Sequence, residues 1–471
     1  MRVSKVLVTQ LAVSLTILSS SAGAQKLQLP RRASLGAMIG PGQGGVLLKE
    51  VLPGSTADVL QLKAGDVITS VNEMPIRAPE ELVRAVHPLR SGDKLSVDYL
   101  RAGKVLHAHG KSVARKLENY AGATTTYGAF QFHNARVRDI FVQPLGKPSA
   151  PVVFEIQGYT CATIEAQDPA GLYGGLARDF VDAGIGFYRA EKPGMGDSSD
   201  EIRCEDIDYK TELDAFRTAY AHLVHDLKVS PDRIVMLGHS LGGLEAPMLA
   251  AEIPPRGVAV YGTVLKNWAD YSIDIARYQD FLMNGRDPVA EAEANDAAAV
   301  VLRKFYVDGL TPQQIIAGDP AAAKILKDQI AWDGGSNAFG RSVAFAQQLP
   351  ALPLTRAWRD TKSQVLSLYG ASDEVALFGT DQQMIAEIVN WYRPGTARYT
   401  EVPGTMHLMD WVGDRHEFRV RNVASGHWVI GRYNSAVGRT IAAWIHDIMK
   451  VQPVREQSFP PPPSPKAEAA N

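Results

Sequence analysis

Cysteine is nearly absent: the 471 residues hold two, Cys161 and Cys204. A dense disulfide framework is thereby excluded, and neither cysteine sits in a CxxC spacing that would favour a metal or redox site. Charge of one sign is also lacking. The net charge is −2, from 49 basic and 51 acidic residues, so no global basic field points to nucleic acid. After Ala24 no apolar run is long enough for a membrane-spanning helix. No fixed-period repeat is present. What remains is an ordinary globular composition, 45% apolar and 21% charged, which excludes wholesale disorder and fibrous folds. At about 150 residues per domain the length suggests roughly three domain equivalents.

The first 24 positions read as a secretory signal. Arg2 and Lys5 supply a basic start, Val6–Leu18 an apolar stretch too short to span a bilayer, and Ala22-Gly23-Ala24 the small-residue cleavage pattern. An uncleaved anchor is the alternative. No cysteine stands at the cleavage point, which argues against a lipoprotein anchor. The mature chain is expected to be exported, to the periplasm or the medium, with no stable membrane span. Export places Cys161 and Cys204 in an oxidising compartment and makes them a candidate disulfide, stabilising by about 3–4 kcal/mol on the chain-entropy model. Two separate buried thiols are the alternative.

Four zones follow: a short linker at 25–34 with Arg31 and Arg32, a small module at 35–115, a large one at 120–450, and a tail at 452–471. Pro460–Pro463 and Pro465 predict an extended, disordered tail. In the small module, strands are expected at 45–51, 66–71 and 95–100, with a helix at 79–86 that opens on Pro79-Glu80-Glu81. The run Gly45-Val46, Val51-Leu52-Pro53-Gly54-Ser55-Thr56-Ala57, Leu62-Lys63-Ala64-Gly65-Asp66-Val67-Ile68, Val71-Asn72, Gly92-Asp93 and Arg101-Ala102-Gly103-Lys104 resembles a PDZ domain of the bacterial protease-associated type. The resemblance implies a bacterial protein and an extended peptide or protein C-terminus bound along a sheet edge. Its carboxylate loop falls on Leu35, Gly36 and Ala37, after Ser34. Ala37 departs from the bulkier apolar residue usual there, and a packing module without a free ligand is the alternative.

The large module alternates apolar strands with helices, the signature of a parallel sheet with crossover helices. Strands are expected at 151–156, 185–189, 233–237, 258–262, 363–370 and 397–402, and helices at 171–183 and 208–227. The strand at 233–237 runs into Gly238-His239-Ser240-Leu241-Gly242, a G-x-S-x-G nucleophile elbow in its required context. The tight turn presents a serine hydroxyl to a base and a substrate. The order serine, acid, histidine then selects Asp373 after the strand at 363–370, with Glu374 its neighbour and competitor. It selects His407 after the last strand, with His427 as rival. His239 reads as part of the turn's packing, and Asp410, three residues after His407, as a solvated residue, with support of the His407 loop as the alternative.

These residues resemble the α/β-hydrolase family in its serine esterase and lipase branch, across about 120–450. The resemblance implies an α/β fold, a mostly parallel sheet with helices on both faces and a helical cap. It also implies Ser240 as nucleophile, Asp373 as acid, His407 as base, and the backbone amides of Leu241 and Tyr159 as the oxyanion hole. Gln157 departs from the His-Gly often found at that loop, although a backbone donor survives the change. A Cys161–Cys204 bridge would tie this loop to Lys192–Ser199.

Between 262 and 364 lies far more chain than the dozen or so residues a crossover needs. A cap is expected at about 264–360, helical at 267–283, 288–306, 311–316, 320–330 and 336–349. Trp268, Tyr271, Tyr278, Phe281, Phe305 and Trp332 are candidate lining residues. The expected activity is ester hydrolysis through an acyl-enzyme on a small ester or acyl substrate, with no cofactor and no metal. A serine peptidase on the same fold, a catalytically inactive binding or scaffold protein, and an acyl transferase are the alternatives.

Overall fold

The computed structural model describes residues 29–166, 168–426 and 428–462. The signal segment, His427 and the end of the tail lie outside the described residues. The small module is a six-stranded sheet: β1 (Ala37–Gly42), β2 (Gly45–Val51), β3 (Val67–Val71), β4 (Met74–Pro75), β5 (Lys94–Arg101) and β6 (Lys104–Lys111). Short α1 (Thr56–Val59) and α2 (Pro79–Val86) complete it. Leu82 and Ala85 of α2 pack on Val46, Leu48, Ile68 and Val97, the alternate inward residues of the strands. β1 is one edge of this sheet, paired among the described residues with β2, and α2 lies against it.

The segment expected to be a linker is a wedge instead. Arg31 and Arg32 pair with Asp197, Glu165 and Asp200 of the large domain, and the Arg32 guanidinium donates to the carbonyls of Gly194 and Ser198. Arg90 adds Ser198 and Asp200. Paired arginine can be buried because its donors fan out over several acceptors; Arg32 is only 4% exposed.

The large domain is built on an eight-stranded sheet. β7 (Ala123–Phe132) and β8 (Ala135–Pro144) form an antiparallel hairpin at one edge, and β8 runs antiparallel to β10 (Gly186–Ala190). From β10 the order is β9 (Val152–Ile156), β11 (Ile234–His239), β12 (Gly257–Tyr261), then the strands at Gln364–Gly370 and Ala397–Val402, all parallel. The continuous apolar runs of these strands fit burial on both faces. One face is covered by α3 (Leu172–Asp182) and the helix at Ser435–Ile448; the other by α4 (Tyr209–His225) and α5 (Gly242–Glu252). Residues 453–457 of the expected tail also pack: Val454 is buried in a single 3-10 turn at Val454–Glu456.

The cap differs from expectation at its two ends. The predicted helix at 267–283 is α6 (Trp268–Asp274), a π-turn at Ile275–Gln279 and α7 (Asp280–Asn284). Pro288–Tyr306 is one helix, α8, as predicted, followed by α9 (Pro312–Gly318) and α10 (Ala322–Ile330). The predicted helix at 336–349 begins as a hairpin, β13 (Asn337–Ala338) and β14 (Arg341–Ser342), before α11 (Val343–Gln348). Phe339 and Gly340 take φ of 50° and 71°, a left-handed turn no helix accommodates.

On α4, His222 sits between Asp226, 2.7 Å from Nδ1, and Asp139, 3.4 Å from Nε2. Burial pulls its pKa down, but hydrogen bonds and charge from the two aspartates outweigh it and the net shift is upward. A raised folded value gives stability present below the unfolded pKa of about 6.5 and lost as pH rises through the folded one. The urea midpoint should therefore differ more between wild type and His222→Gln at about pH 5.5 than at about pH 8.5.

Candidate functional site

Ser240 lies in the turn between β11 and α5 with φ of 55°, a left-handed conformation rare outside glycine. The turn is tight. A Cβ at Gly238 would lie 2.5 Å from the Gly242 carbonyl oxygen, and one at Gly242 would lie 2.0 Å from that of Ile156. The glycines let the helix start directly against the β9 end, and the half-buried serine hydroxyl is left accessible.

Behind it stands a continuous relay. Ser240 Oγ is 2.9 Å from His407 Nε2, and His407 Nδ1 is 2.9 Å from Asp373 Oδ2. The second oxygen of Asp373 accepts from the amides of Val375 and Ala376 at 2.7 and 2.8 Å. Burial alone would raise the Asp373 pKa. The charge and hydrogen bond of His407, with the two amides, overcome that and hold it below its usual value. The carboxylate is thus kept ionised to orient the imidazole.

Glu374 faces elsewhere. It is fully buried and held by Arg415 and Arg419 at 2.7 and 2.6 Å. His239 is a brace: its Nε2 lies 2.8 Å from the His407 carbonyl oxygen. Burial and the neighbouring His407 charge pull its pKa down to about 4, so the ring is neutral and donates that bond. Asp410 is not a solvated loop residue. It is buried, and it accepts from the Gly431 amide at 2.7 Å, tying down the loop that carries His407.

The loop after β9 meets the serine. A Cβ at Gly158 would lie 3.1 Å from Ser240 Cβ. Among the described residues the amides of Leu241 and Tyr159 donate to no backbone acceptor. Cys161 and Cys204 are joined, with Cα atoms 5.8 Å apart, so this loop is stapled to the segment that follows Lys192–Ser199.

Four charged side chains missed by sequence reasoning lie under Tyr159: Lys192, Glu212, Glu245 and Arg341, all buried. Their one sequence signal is Lys192, a cation just beyond the apolar β10. Among the described residues Glu245 has no hydrogen-bond partner, and burial followed by the nearby Glu212 charge raises its pKa well above the usual range.

Of the expected lining residues, Trp268 stacks on Tyr159 with centroids 6.2 Å apart, and Tyr271 packs on Trp268 at 4.9 Å. Phe305 is wholly inside the cap core, and Trp332 donates to the nearby Gly335 carbonyl; both serve cap packing. Phe339 and Phe345, not anticipated, meet Tyr159 edge-on. In the PDZ-like module, Gly36 has φ of 67° and the carbonyls of Leu35 and Gly36 accept from Ala57 and Leu52. The amides of Leu35 and Gly36 donate to no backbone acceptor among the described residues.

The elbow on a parallel sheet, with helices on both faces and an inserted cap, defines an α/β hydrolase. The alpha/beta hydrolase family model matches residues 168–429, more than half of the chain, and the chain belongs to that family. A PDZ domain model matches residues 33–110. Among curated proteins the chain is 41% identical over 64 residues to the periplasmic pH-dependent serine endoprotease DegQ of Escherichia coli, covering 14% of each chain. It is 40% identical over 62 residues to a probable periplasmic serine protease do/HhoA-like of Haemophilus influenzae, covering 13% of each. The chain thus spans about a seventh of the length of the curated relatives it matches. Solved structures similar to it include Est1E from Butyrivibrio proteoclasticus, at 16% identity and TM-score 0.42, covering 70% of this chain and 100% of that one. A thermostable carboxyl esterase from Bacillus coagulans matches at 17% identity and TM-score 0.42, covering 69% and 99%.

Proposed function

We propose that this chain is an exported serine hydrolase that cleaves an ester through an acyl-enzyme, with the PDZ domain binding a peptide or partner beside it. The observation that carries this reading is the relay of two 2.9 Å contacts joining Ser240 to His407 and His407 to Asp373. In the reaction, His407 Nε2 takes the Ser240 proton as Oγ attacks the acyl carbon. The carbonyl oxygen gains negative charge against the amides of Leu241 and Tyr159. Collapse breaks the ester bond, and His407 returns the proton to the leaving alcohol. Water then repeats the sequence and frees the acid. Arg31 and Arg32 lead directly into the PDZ loop Leu35-Gly36-Ala37, whose unpaired amides suit a terminal carboxylate.

A fluorophosphonate probe should label the mature protein and fail on Ser240→Ala, with ester turnover falling by about 10⁴-fold or more. Folded wild type that neither labels nor turns over esters sinks the reading and favours an inactive scaffold. Peptide amides cleaved in preference to p-nitrophenyl esters would replace it by the peptidase reading.

A further inference from the structure

The buried charges under Tyr159 have no part in the proton relay, and stability explains them poorly. Ion pairs this deep are often matched or bettered by apolar side chains of similar volume. Lys192 and Glu212 are fully buried and 2.9 Å apart, and Arg341, 1% exposed, reaches the same carboxylate at 2.5 Å. Both cations also point at two consecutive carbonyls. Lys192 Nζ donates to Gly158 O at 2.6 Å and Arg341 donates to Tyr159 O at 2.8 Å.

The Gly158–Tyr159 peptide is trans, as no bond among the described residues is cis. Its C=O and N–H therefore point in opposite directions. A cation holding Gly158 O on the buried side turns the Tyr159 N–H outward, on the side where Gly158 packs on Ser240. A carbonyl that accepts from a cation is polarised, and its own peptide N–H becomes a better donor. Arg341 belongs to the cap hairpin, while Lys192 and Glu212 belong to the sheet domain. Seating of the cap and direction of the donor are thus set by the same three side chains.

We propose that Lys192 and Arg341 are positioning residues for the oxyanion hole: Lys192, holding Gly158 O, aims and polarises the Tyr159 amide donor, and Arg341, holding the next carbonyl, Tyr159 O, fixes the same loop against the cap. This rests on the serine hydrolase reading above. The alternative role is a brace between cap and body, which would affect stability and leave the chemistry alone.

The test uses Lys192→Met in the full mature chain, with p-nitrophenyl butyrate as substrate. Loss of one oxyanion donor predicts that kcat falls by about 10²–10³-fold while KM stays within about threefold. An alkyl trifluoromethyl ketone, which forms an oxyanion with Ser240, should lose affinity by the same factor. The matching methyl ketone should bind unchanged. Arg341→Lys keeps one donor and should retain more activity than Arg341→Met. Since Lys192→Met strands Glu212 beside Arg341 alone, Lys192→Met/Glu212→Gln is measured beside it. A folded variant with kcat within about threefold of wild type overturns the proposal, as does equal loss of affinity for both ketones. Failure of both variants to fold assigns the cluster to bracing and overturns it too. Wild type that turns over no ester, with Ser240→Ala indistinguishable from it, instead overturns the underlying hydrolase reading.

Discussion

Asp373→Asn is expected to lower kcat by about 10⁴-fold, while Glu374→Gln leaves kcat near wild type. The two carboxyls are adjacent in sequence and both fully buried, so exposure does not separate them. Direction does. Asp373 faces His407 Nδ1 and fixes the tautomer in which Nε2 can accept the serine proton; an amide there would favour the wrong tautomer. Glu374 turns the other way, onto Arg415 and Arg419, which bring helix Arg415–Ser425 against the acid loop. Neutralising it weakens charge-assisted hydrogen bonds by about 1.5–3 kcal/mol, seen as a lower urea midpoint. A Glu374→Gln enzyme that is stable but inactive would exchange the two roles. Because the Asp373 pKa is depressed, its stabilisation is present above about pH 4 and is lost as pH falls through the folded value.

The strands bearing the relay were legible because each is short, apolar and closed by a turn signal, and because the elbow demands glycines at set offsets. The predicted strand at 397–402 matches Ala397–Val402, and the others shift by a residue or two. The β7–β8 hairpin was not anticipated, although Thr124–Thr126 and the following aromatics are strand formers and His133-Asn134 is a turn. It lies before the first buried strand and carries no part of the relay. The cap failed where helix propensity met backbone constraints that a residue-type average hides, at Phe339-Gly340 and at the π-turn. Lys192, Glu212 and Arg341 were invisible for a different reason. They are distant in sequence, and only the folded chain brings one cation from the sheet domain and one from the cap onto two consecutive carbonyls. Arg31 and Arg32 likewise looked like linker residues, because the acids that bury them come from Glu165 and the 197–200 loop.

Gly242→Ala, in the elbow, and Gly158→Ala, in the loop that meets it, should fail in different ways. At Gly242 the added methyl would sit 2.0 Å from Ile156 O and 2.9 Å from Gln157 O. Both are backbone atoms; Ile156 closes β9, a central strand paired on each side, and its carbonyl cannot retreat without disturbing that ladder. The elbow or the strand must give way, at about 4 kcal/mol or more, and the urea midpoint should fall accordingly. At Gly158 the methyl meets Ser240 Cβ at 3.1 Å and His239 O at 3.4 Å. A shift of a few tenths of an ångström in the loop relieves this, so the fold survives. In the proposed mechanism that same shift draws the Tyr159 amide away from the acyl oxygen. Donor geometry of this kind is worth about 10²–10³-fold in kcat, and the loss should appear with little change in KM or in the urea midpoint. A Gly158→Ala protein with full activity would place the second donor elsewhere than Tyr159, because no other arrangement lets that loop move without moving the hole.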